Sequence, residues 1–196
     1  MPDPRRVNVL SRKEVLNDFL SVQEAVVEFE KYDGHMSPPV RRLKLERGDS
    51  AAVLLYNLDE DVVALVEQFK WPTFDNGDGW ILETVAGVVD HGETPEQAAL
   101  RETFEETGFV VSTIEPVATF YVSPGGSSER IYLFCGYIEA NSQRGDGGGL
   151  PAENEDIRVR IFPRSLASSM IAEGKIIDAK TILALWWLGD KLGRGN

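Results

Sequence analysis

Short apolar runs bounded by turn residues recur through the middle of the chain, and this pattern predicts β-strands. The predicted strands cover residues 51–56, 62–66, 85–89, 109–121 and 130–138. Elsewhere apolar residues recur at helical spacing, which predicts helices over residues 95–107, 163–173 and 179–192. Strands interleaved with helices in this order are compatible with an α/β fold.

The amino-terminal part of the chain alternates less regularly. Residues 18–32 and 40–47 are predicted as extended segments, because the Asp33-Gly34 pair between them carries a turn signal. The sequence therefore predicts a β-hairpin element in residues 1–50 and a main domain in residues 51–196. A chain of 196 residues suits one domain with such an appended element.

One segment, residues 141–156, has neither a helical nor a strand period and is too polar to lie in a core. It contains a cluster of glycines that is followed by Glu153, Glu155 and Asp156; the glycines are Gly145, Gly147, Gly148 and Gly149. Two interpretations are open. The segment is either a disordered connector or a mobile active-site loop, since long loops in compact domains are often functional.

The net charge of the chain limits the classes of molecule that it is expected to bind. A formal net charge of −12 disfavours nucleic acids and anionic membranes, which bind basic surfaces, so a phosphate substrate requires metal ions or local arginines.

The charged start is not followed by the apolar segment of a signal peptide, and no apolar run is long enough to span a membrane. The single cysteine, Cys135, lies in an apolar run and is predicted to be a buried thiol. We therefore expect a cytoplasmic protein.

The predicted helix over residues 95–107 has well-defined ends. Thr94 can cap it, Pro95 suits the first helical position, and Gln97 completes a capping box. Gly108 provides the stop signal.

Helical spacing divides this helix into two faces. The predicted packed face contains Leu100, Thr103, Phe104 and Thr107, and the opposite face contains Glu102, Glu105 and Glu106. Like charges at this spacing destabilise a helix by about 0.2–0.5 kcal/mol per pair, and Arg101 is the only local counter-charge. Clustered carboxylates are ligands that Mg²⁺ or Mn²⁺ prefers, and such ions neutralise a diphosphate during attack. Alone, the three glutamates would indicate only a solvated acidic face.

The glutamates belong to a longer pattern, Gly87-x5-Glu93-x7-Arg101-Glu102-x2-Glu105-Glu106-x-Gly108-Phe109, which resembles the Nudix box. Thr103 departs from the usual aliphatic residue, but its methyl group can pack if its hydroxyl bonds to the preceding turn. The resemblance implies an α/β/α sandwich with a mixed β-sheet and a site for two or three Mg²⁺ or Mn²⁺ ions.

By this resemblance, Glu102, Glu106 and the backbone carbonyl of Ala86 would hold the metal ions, and Glu105 would assist catalysis. Glu93 and Arg101 would pair and brace the box, in which Gly87 and Gly108 also have structural roles. Neither histidine, His35 nor His91, is assigned to catalysis.

The resemblance extends to the subgroup of dimeric ADP-ribose and nucleotide-sugar pyrophosphatases. Residues 34–48 are similar to a hairpin that reaches the partner subunit in that subgroup, which implies that Arg42 and Phe19 bind substrate there. Lys70 ends a strand where the subgroup generally has arginine, so it keeps the charge but loses bidentate geometry.

Two further segments resemble the same subgroup. Residues 123–130 match a signature that implies substrate contacts for Ser123 and Glu129. Residues 153–157 match the acidic loop that supplies the general base, which implies that role for Glu153 and metal binding for Glu155. Such a loop can close over the substrate and exclude solvent.

The expected function is hydrolysis of a nucleoside diphosphate sugar, foremost ADP-ribose to AMP and ribose 5-phosphate, by a homodimer with exchanged amino-terminal elements. Residues 150–159 favour ADP-ribose, whereas residues 176–181 resemble the GDP-mannose enzymes more closely, so both substrates stay open. A catalytically silent nucleotide sensor would have lost the box carboxylates, which are all present here. The acidic balance and the hairpin disfavour RNA decapping and nucleoside triphosphate hydrolysis.

Overall fold

The computed structural model describes residues 5–18, 20–111, 113–139 and 141–193. The chain divides into two compact units. The first consists of Met1–Gly48 with Tyr121–Arg130, and the second of Asp49–Phe120 with Ile131–Asn196.

The first unit is built on a three-stranded antiparallel sheet, ordered β1-β2-β3, of β1 (Val7–Asn17), β2 (Ser21–Phe29) and β3 (Val40–Glu46). The predicted hairpin is confirmed in β2 and β3. Strand β1 was not predicted, because two register shifts in its pairing with β2 interrupt the alternation of its side chains. Glu24 on the central strand forms ion pairs with Lys13 of β1 and Arg41 of β3, which lower its pKa and link the three strands.

The second unit contains a mixed seven-stranded sheet. Its strands are β4 (Ser50–Asn57), β5 (Val62–Phe69), β6 (Trp80–Glu83), β7 (Val85–Val88), β8 (Ile114–Tyr121), β9 (Arg130–Tyr137) and β10 (Arg158–Pro163). The main order is β10-β5-β4-β9-β8, with β6 paired to β5 and β7 to β4. Strand β4 is buried along its whole length and runs parallel to β9 but antiparallel to β5. A strand buried on both faces lies at the centre of a layered fold.

Helices cover both faces of this sheet: α1 (Pro95–Thr107), α2 (Arg164–Ala172) and α3 (Ala179–Gly193). Alternate residues of β4 point to opposite faces. Leu54 belongs to the core that includes residues of α2 and α3, and Val53 to the core that includes residues of α1. The predicted α/β/α sandwich is therefore confirmed.

Cys135 is buried in the core beneath α3, and burial raises the pKa of its thiol to about 12. The predicted buried thiol is confirmed. Among the described residues, no helix has the length and apolar character needed to cross a membrane.

Three details of the sheet differ from the sequence prediction. Strand β6 has only four residues, which is too short for its period to be recognised. Strand β10 was not predicted and lies mostly between the predicted irregular segment and the helix predicted from residue 163, although its alternation Arg-Val-Arg-Ile is typical of a strand. The strand predicted from residue 109 begins only at Ile114, because Phe109 and Val111 are buried before regular pairing starts.

Candidate active site

Helix α1 is positioned by caps at both ends. The hydroxyl of Thr94 accepts a hydrogen bond from the backbone N–H of Gln97, and the Gln97 side chain accepts one from the N–H of Thr94 at 2.8 Å. At the other end Gly108 has φ 71° and donates its N–H to the carbonyl of Phe104. The predicted start, stop and capping box are confirmed.

The buried face of α1 differs from the predicted one. Leu100 and Phe104 are exposed, whereas Glu106, placed by the prediction on the charged face, is only 3% exposed. Ala98 and Ala99 are fully buried, and such small residues let a helix lie close to the sheet. The buried stripe is therefore rotated toward Glu106.

Thr103 lies in this buried stripe and makes the hydrogen bond that its position requires. Its hydroxyl donates to the carbonyl of Ala99 at 2.7 Å, so the polar group is satisfied within the helix. The predicted accommodation of this departure from the usual box is confirmed.

Arg101 connects the loop before α1 to the acidic face of the helix. Its Nε and Nη2 donate to the two carboxylate oxygens of Glu93 at 3.0 and 2.9 Å, and Nη2 also donates to the carbonyl of Val88. Its Nη1 donates to Glu102 at 2.6 Å and to Glu105 at 3.1 Å. The hydrogen bonds from Arg101 to Glu93 lower the pKa of Glu93. The Arg101 guanidinium thus attaches the loop before α1 to the helix and lies between the carboxylates of Glu102 and Glu105.

Gly87 provides the space for the Glu102 carboxylate. A β-carbon at this position would lie 1.9 Å from Oε1 of Glu102, so any side chain would displace that carboxylate. Burial raises the pKa of Glu102, Arg101 opposes this shift, and the charges of Glu105 and Glu155 add to it. Glu102 is therefore a crowded carboxylate with several negative neighbours.

Glu106 is the most unusual charge of the site. Its Oε2 is buried and has no hydrogen-bond partner among the described residues. Burial raises the pKa of this carboxyl well above its ordinary value, and the charges of Glu83 and Glu102 raise it further, while Lys70 opposes them. A buried carboxylate without a partner is costly unless a cation compensates it.

Glu83 and Lys180 are neighbours of this site that sequence reasoning missed. Lys70 Nζ lies 3.3 Å from one oxygen of Glu83, and the Lys180 ammonium is hydrogen-bonded to the other. Lys180 also lies 2.9 Å from Asp178. The sequence signal that could have identified Glu83 is its place at the end of the short apolar run in β6. A charged residue in such a place is expected to be buried and therefore to require a partner of opposite charge.

The acidic loop contributes two of the predicted residues. Glu155 is half-buried, its carboxylate accepts a hydrogen bond from the backbone N–H of Leu150 at 2.9 Å, and its charge raises the pKa of both Glu102 and Glu106. Glu153 lies in the exposed 3-10 turn Pro151–Glu153. The second unit therefore places Glu155 near the carboxylates of α1 and Glu153 on the surface of the same loop.

The donor atoms of the second unit suit a divalent cation. In the described part of the chain, no three acidic, histidine or cysteine side chains already converge as a metal-binding group, and Arg101 and the Leu150 N–H engage several of the oxygens. The unpartnered oxygen of Glu106 is nevertheless accompanied by hard carboxylate oxygens, which Mg²⁺ prefers. The residues present therefore fit a Mg²⁺ or Mn²⁺ ion.

Comparison with known proteins identifies the family. The family model of the NUDIX domain matches residues 46–185. The chain belongs to the NUDIX domain family. The matched range includes the segment from Gly87 to Phe109 that resembles the Nudix box, and the chain is a hydrolase.

The relatives of this Nudix chain include two kinds of pyrophosphatase. It is 38% identical over 183 residues to the ADP-ribose pyrophosphatase of Escherichia coli, covering 93% of this chain and 87% of the relative. It is 34% identical over 181 residues to the GDP-mannose pyrophosphatase of Pectobacterium atrosepticum, covering 91% of this chain and 92% of the relative. A crystal structure of an ADP compounds hydrolase has the same fold, with a TM-score of 0.71, 19% identity and coverage of 97% and 96% of the two chains.

The other residues predicted to bind substrate lie in the first unit or outside the described residues. Arg42 is exposed and donates to the carbonyl of Arg41, Ser123 begins an exposed turn, and Glu129 lies 4.0 Å from Arg47. Phe19 lies outside the described residues. Their substrate contacts in this Nudix protein stay predictions.

Proposed function

We propose that this chain hydrolyses the diphosphate bond of a nucleoside diphosphate sugar with the help of bound Mg²⁺ or Mn²⁺. The observation that supports this most directly is the unpartnered, buried oxygen of Glu106 within the Nudix box. Its negative neighbours make a divalent cation the natural compensating charge.

The carboxylates have separate roles in this proposal. Glu102, Glu106, Glu155 and the carbonyl of Ala86, which is half-buried in β7, would hold two or three ions, and Glu105 would assist them. When bound, the ions neutralise the diphosphate and increase the acidity of the attacking water.

Glu153 is the proposed general base. Its exposed place on the 3-10 turn leaves the carboxylate accessible to accept a proton from water. Lys70, which is paired to Glu83, would bind a substrate phosphate as a point charge.

ADP-ribose is the proposed main substrate, with AMP and ribose 5-phosphate as products. The 38% identity to an ADP-ribose pyrophosphatase supports this choice, as does the resemblance of residues 150–159. GDP-mannose is the second candidate. The 34% identity to a GDP-mannose pyrophosphatase supports it, as does the resemblance of residues 176–181 to the GDP-mannose enzymes.

We also propose that the enzyme is a homodimer in which the amino-terminal elements are exchanged. All residues of β1 are exposed in the chain, including Val7, Val9, Leu10, Val15 and Leu16. An exposed apolar strand is typical of a surface that another chain covers. Arg42 and Phe19 would then serve the partner's site. The chain has a single cysteine, the buried Cys135, and so cannot form an internal disulfide, which fits the reducing cytoplasm where we place the enzyme.

A substrate screen tests the reaction and the choice of sugar. Purified protein is incubated with ADP-ribose, GDP-mannose, UDP-glucose or ADP-glucose, with Mg²⁺ or with EDTA, and the products are separated by ion-pair chromatography. We expect Mg²⁺-dependent release of AMP from ADP-ribose at the highest kcat/KM. A higher kcat/KM for GDP-mannose would establish the second candidate, and turnover of none of the four would contradict the proposal.

A further inference from the structure

The segment over residues 141–156, which leads into the acidic loop, has a glycine-rich part that lies along the carboxyl end of α1. We call residues 142–149 the strap. The last carbonyls of a helix have no partners within the helix. Here the backbone N–H groups of Gly148 and Gly149 donate to the carbonyls of Glu106 and Glu105 at 2.9 and 3.1 Å. The strap therefore caps the turn that carries two box glutamates.

The other end of the strap is attached in the same way. The N–H of Arg144 donates to the carbonyl of Gly108 at 2.8 Å, and the Gln143 side chain donates to the carbonyl of Thr107 at 3.3 Å. The N–H of Val110 in turn donates to the carbonyl of Ser142 at 3.0 Å. The contact thus continues from the last helical turn past the Gly108 cap.

This contact requires glycine at two facing positions. A β-carbon on Gly147 would lie 2.6 Å from the backbone carbon of Thr107 and 2.8 Å from the carbonyl oxygen of Glu106. A β-carbon on Gly108 would lie 2.1 Å from the carbonyl oxygen of Gly145. Both glycines also have positive φ, at 66° and 71°. Since the opposing atoms are backbone atoms, they cannot rotate away as a side chain could.

The strap also offsets the unfavourable position of two negative charges at the carboxyl end of α1. Acidic residues near a helix carboxyl end lie at the negative pole of the helix dipole, where Glu105 and Glu106 are located. The N–H groups of Gly148 and Gly149 point their positive ends at this pole. The strap therefore stabilises the conformation in which these glutamates are held.

Beyond the strap, the loop closes on itself. The N–H of Ile157, a buried residue, donates to the carbonyl of Gly148 at 3.1 Å. Between these two residues lies the part of the loop that carries Glu153 and Glu155. The loop acids are thus attached, through Gly148, to the same turn of α1 that carries Glu106.

We propose that the strap is a positioning element for the reaction and that Gly147 is its central positioning residue. The strap keeps Glu153 and Glu155 at a fixed position relative to Glu106 and confines loop movement to residues 150–156. This inference rests on the proposed function, because their relative position matters only if the loop acids and the box carboxylates serve one site. Gly147 would act through the close contact of the strap with α1.

Gly147→Ala tests the inference against a matched control, Gly174→Ala. Gly174 has φ 69°, close to the 66° of Gly147, but a β-carbon there would meet nothing within 4 Å. The two variants share the backbone strain and differ in the collision with α1. A misplacement of about 1 Å can cost roughly 10²-fold in rate, so we expect Gly147→Ala to lower kcat by about 10- to 100-fold, with KM nearly unchanged. Gly174→Ala should keep the wild-type kcat.

Hydrogen exchange of the metal-free protein provides the second measurement. In Gly147→Ala we expect faster exchange in peptides covering residues 141–157, and wild-type exchange in the first turns of α1. Equal kcat values for the two variants, or unchanged exchange in residues 141–157, would overturn the inference. If Gly147→Ala does not fold, Gln143→Met removes one hydrogen bond to Thr107 and should show the same changes on a smaller scale, and wild-type behaviour in it would count against the strap.

The exchange measurement also separates this inference from the proposed function. If the wild-type protein hydrolyses no nucleoside diphosphate sugar, the proposed function fails and the catalytic role of the strap fails with it. Exchange would still decide whether Gly147 attaches the loop to α1. If the wild type is active and Gly147→Ala matches Gly174→Ala in kcat, only the strap inference fails.

Discussion

Glu102 and Glu106 illustrate how single atoms determine the chemistry of this site. Glu102 occupies the space that the missing side chain of Gly87 leaves, and Glu106 is buried with an unpartnered oxygen. The sequence predicted both glutamates as metal ligands from their place in the box. It placed Glu106 on the charged face opposite the packed one, because helical spacing alone does not reveal how closely Ala98 and Ala99 let α1 approach the sheet.

Gly87→Ala should weaken metal-dependent activity by displacing Glu102. The new β-carbon would overlap the carboxylate, which can rotate away, so the fold should persist while the metal site changes. We expect the Mg²⁺ concentration for half-maximal rate to rise by about 10- to 100-fold, as for other residues that orient a metal ligand. The measurement is initial rate against Mg²⁺ concentration.

Gly189→Ala is the matched control for this substitution. Gly189 lies in α3, and a β-carbon there would meet nothing within 4 Å. Its Mg²⁺ dependence should equal that of the wild type. An unchanged Mg²⁺ requirement in Gly87→Ala would show that the position of Glu102 does not matter for metal binding.

At the scale of elements, local signals succeeded where they were strong. The limits of α1 agree with the prediction because Thr94, Pro95, Gln97 and Gly108 define both ends chemically. Strands β1 and β6 were missed because register shifts and short length obscured their period. The strap could not be predicted, since its glycines bond to carbonyls about forty positions earlier in the chain and no local pattern identifies such partners.

Thr94→Ala tests the contribution of the amino-terminal cap. The substitution removes the hydroxyl that accepts the Gln97 N–H, so we expect a loss of about 1 kcal/mol in the free energy of unfolding. Urea denaturation followed by circular dichroism measures it. Thr94→Ser keeps the acceptor and should retain nearly all of the stability, so equal losses in both variants would argue against the cap.

At the scale of the whole molecule, the sequence predicted a boundary after residue 50, whereas the two compact units divide after Gly48. The first unit also includes residues 121–130. Their membership depends on non-local hydrogen bonds, such as those from the N–H of Leu45 to the carbonyl of Gly126 and from the N–H of Ser128 to the carbonyl of Leu45. Local sequence patterns do not encode such pairings.

The proposed dimer predicts a solution mass twice that of one chain in light scattering coupled to size exclusion. Val9, half-exposed on β1, is a candidate contact. Val9→Lys should shift the mass toward one chain, because it would bury a charge in the interface. Asn8→Lys adds the same charge on the opposite face of the strand and should leave the mass unchanged. A wild-type protein with the mass of one chain would contradict the dimer.

The central claim is that Glu106 holds a catalytic divalent cation, and the most direct test is the Mg²⁺-dependent rate of AMP release from ADP-ribose by Glu106→Gln. Glutamine keeps the shape of the side chain but removes its charge. We expect the rate to fall by roughly 10²-fold or more, with an unchanged circular dichroism spectrum. Glu96→Gln, on the exposed first turn of the same helix, should retain the wild-type rate. A Glu106→Gln protein that releases AMP as fast as the wild type would contradict the account.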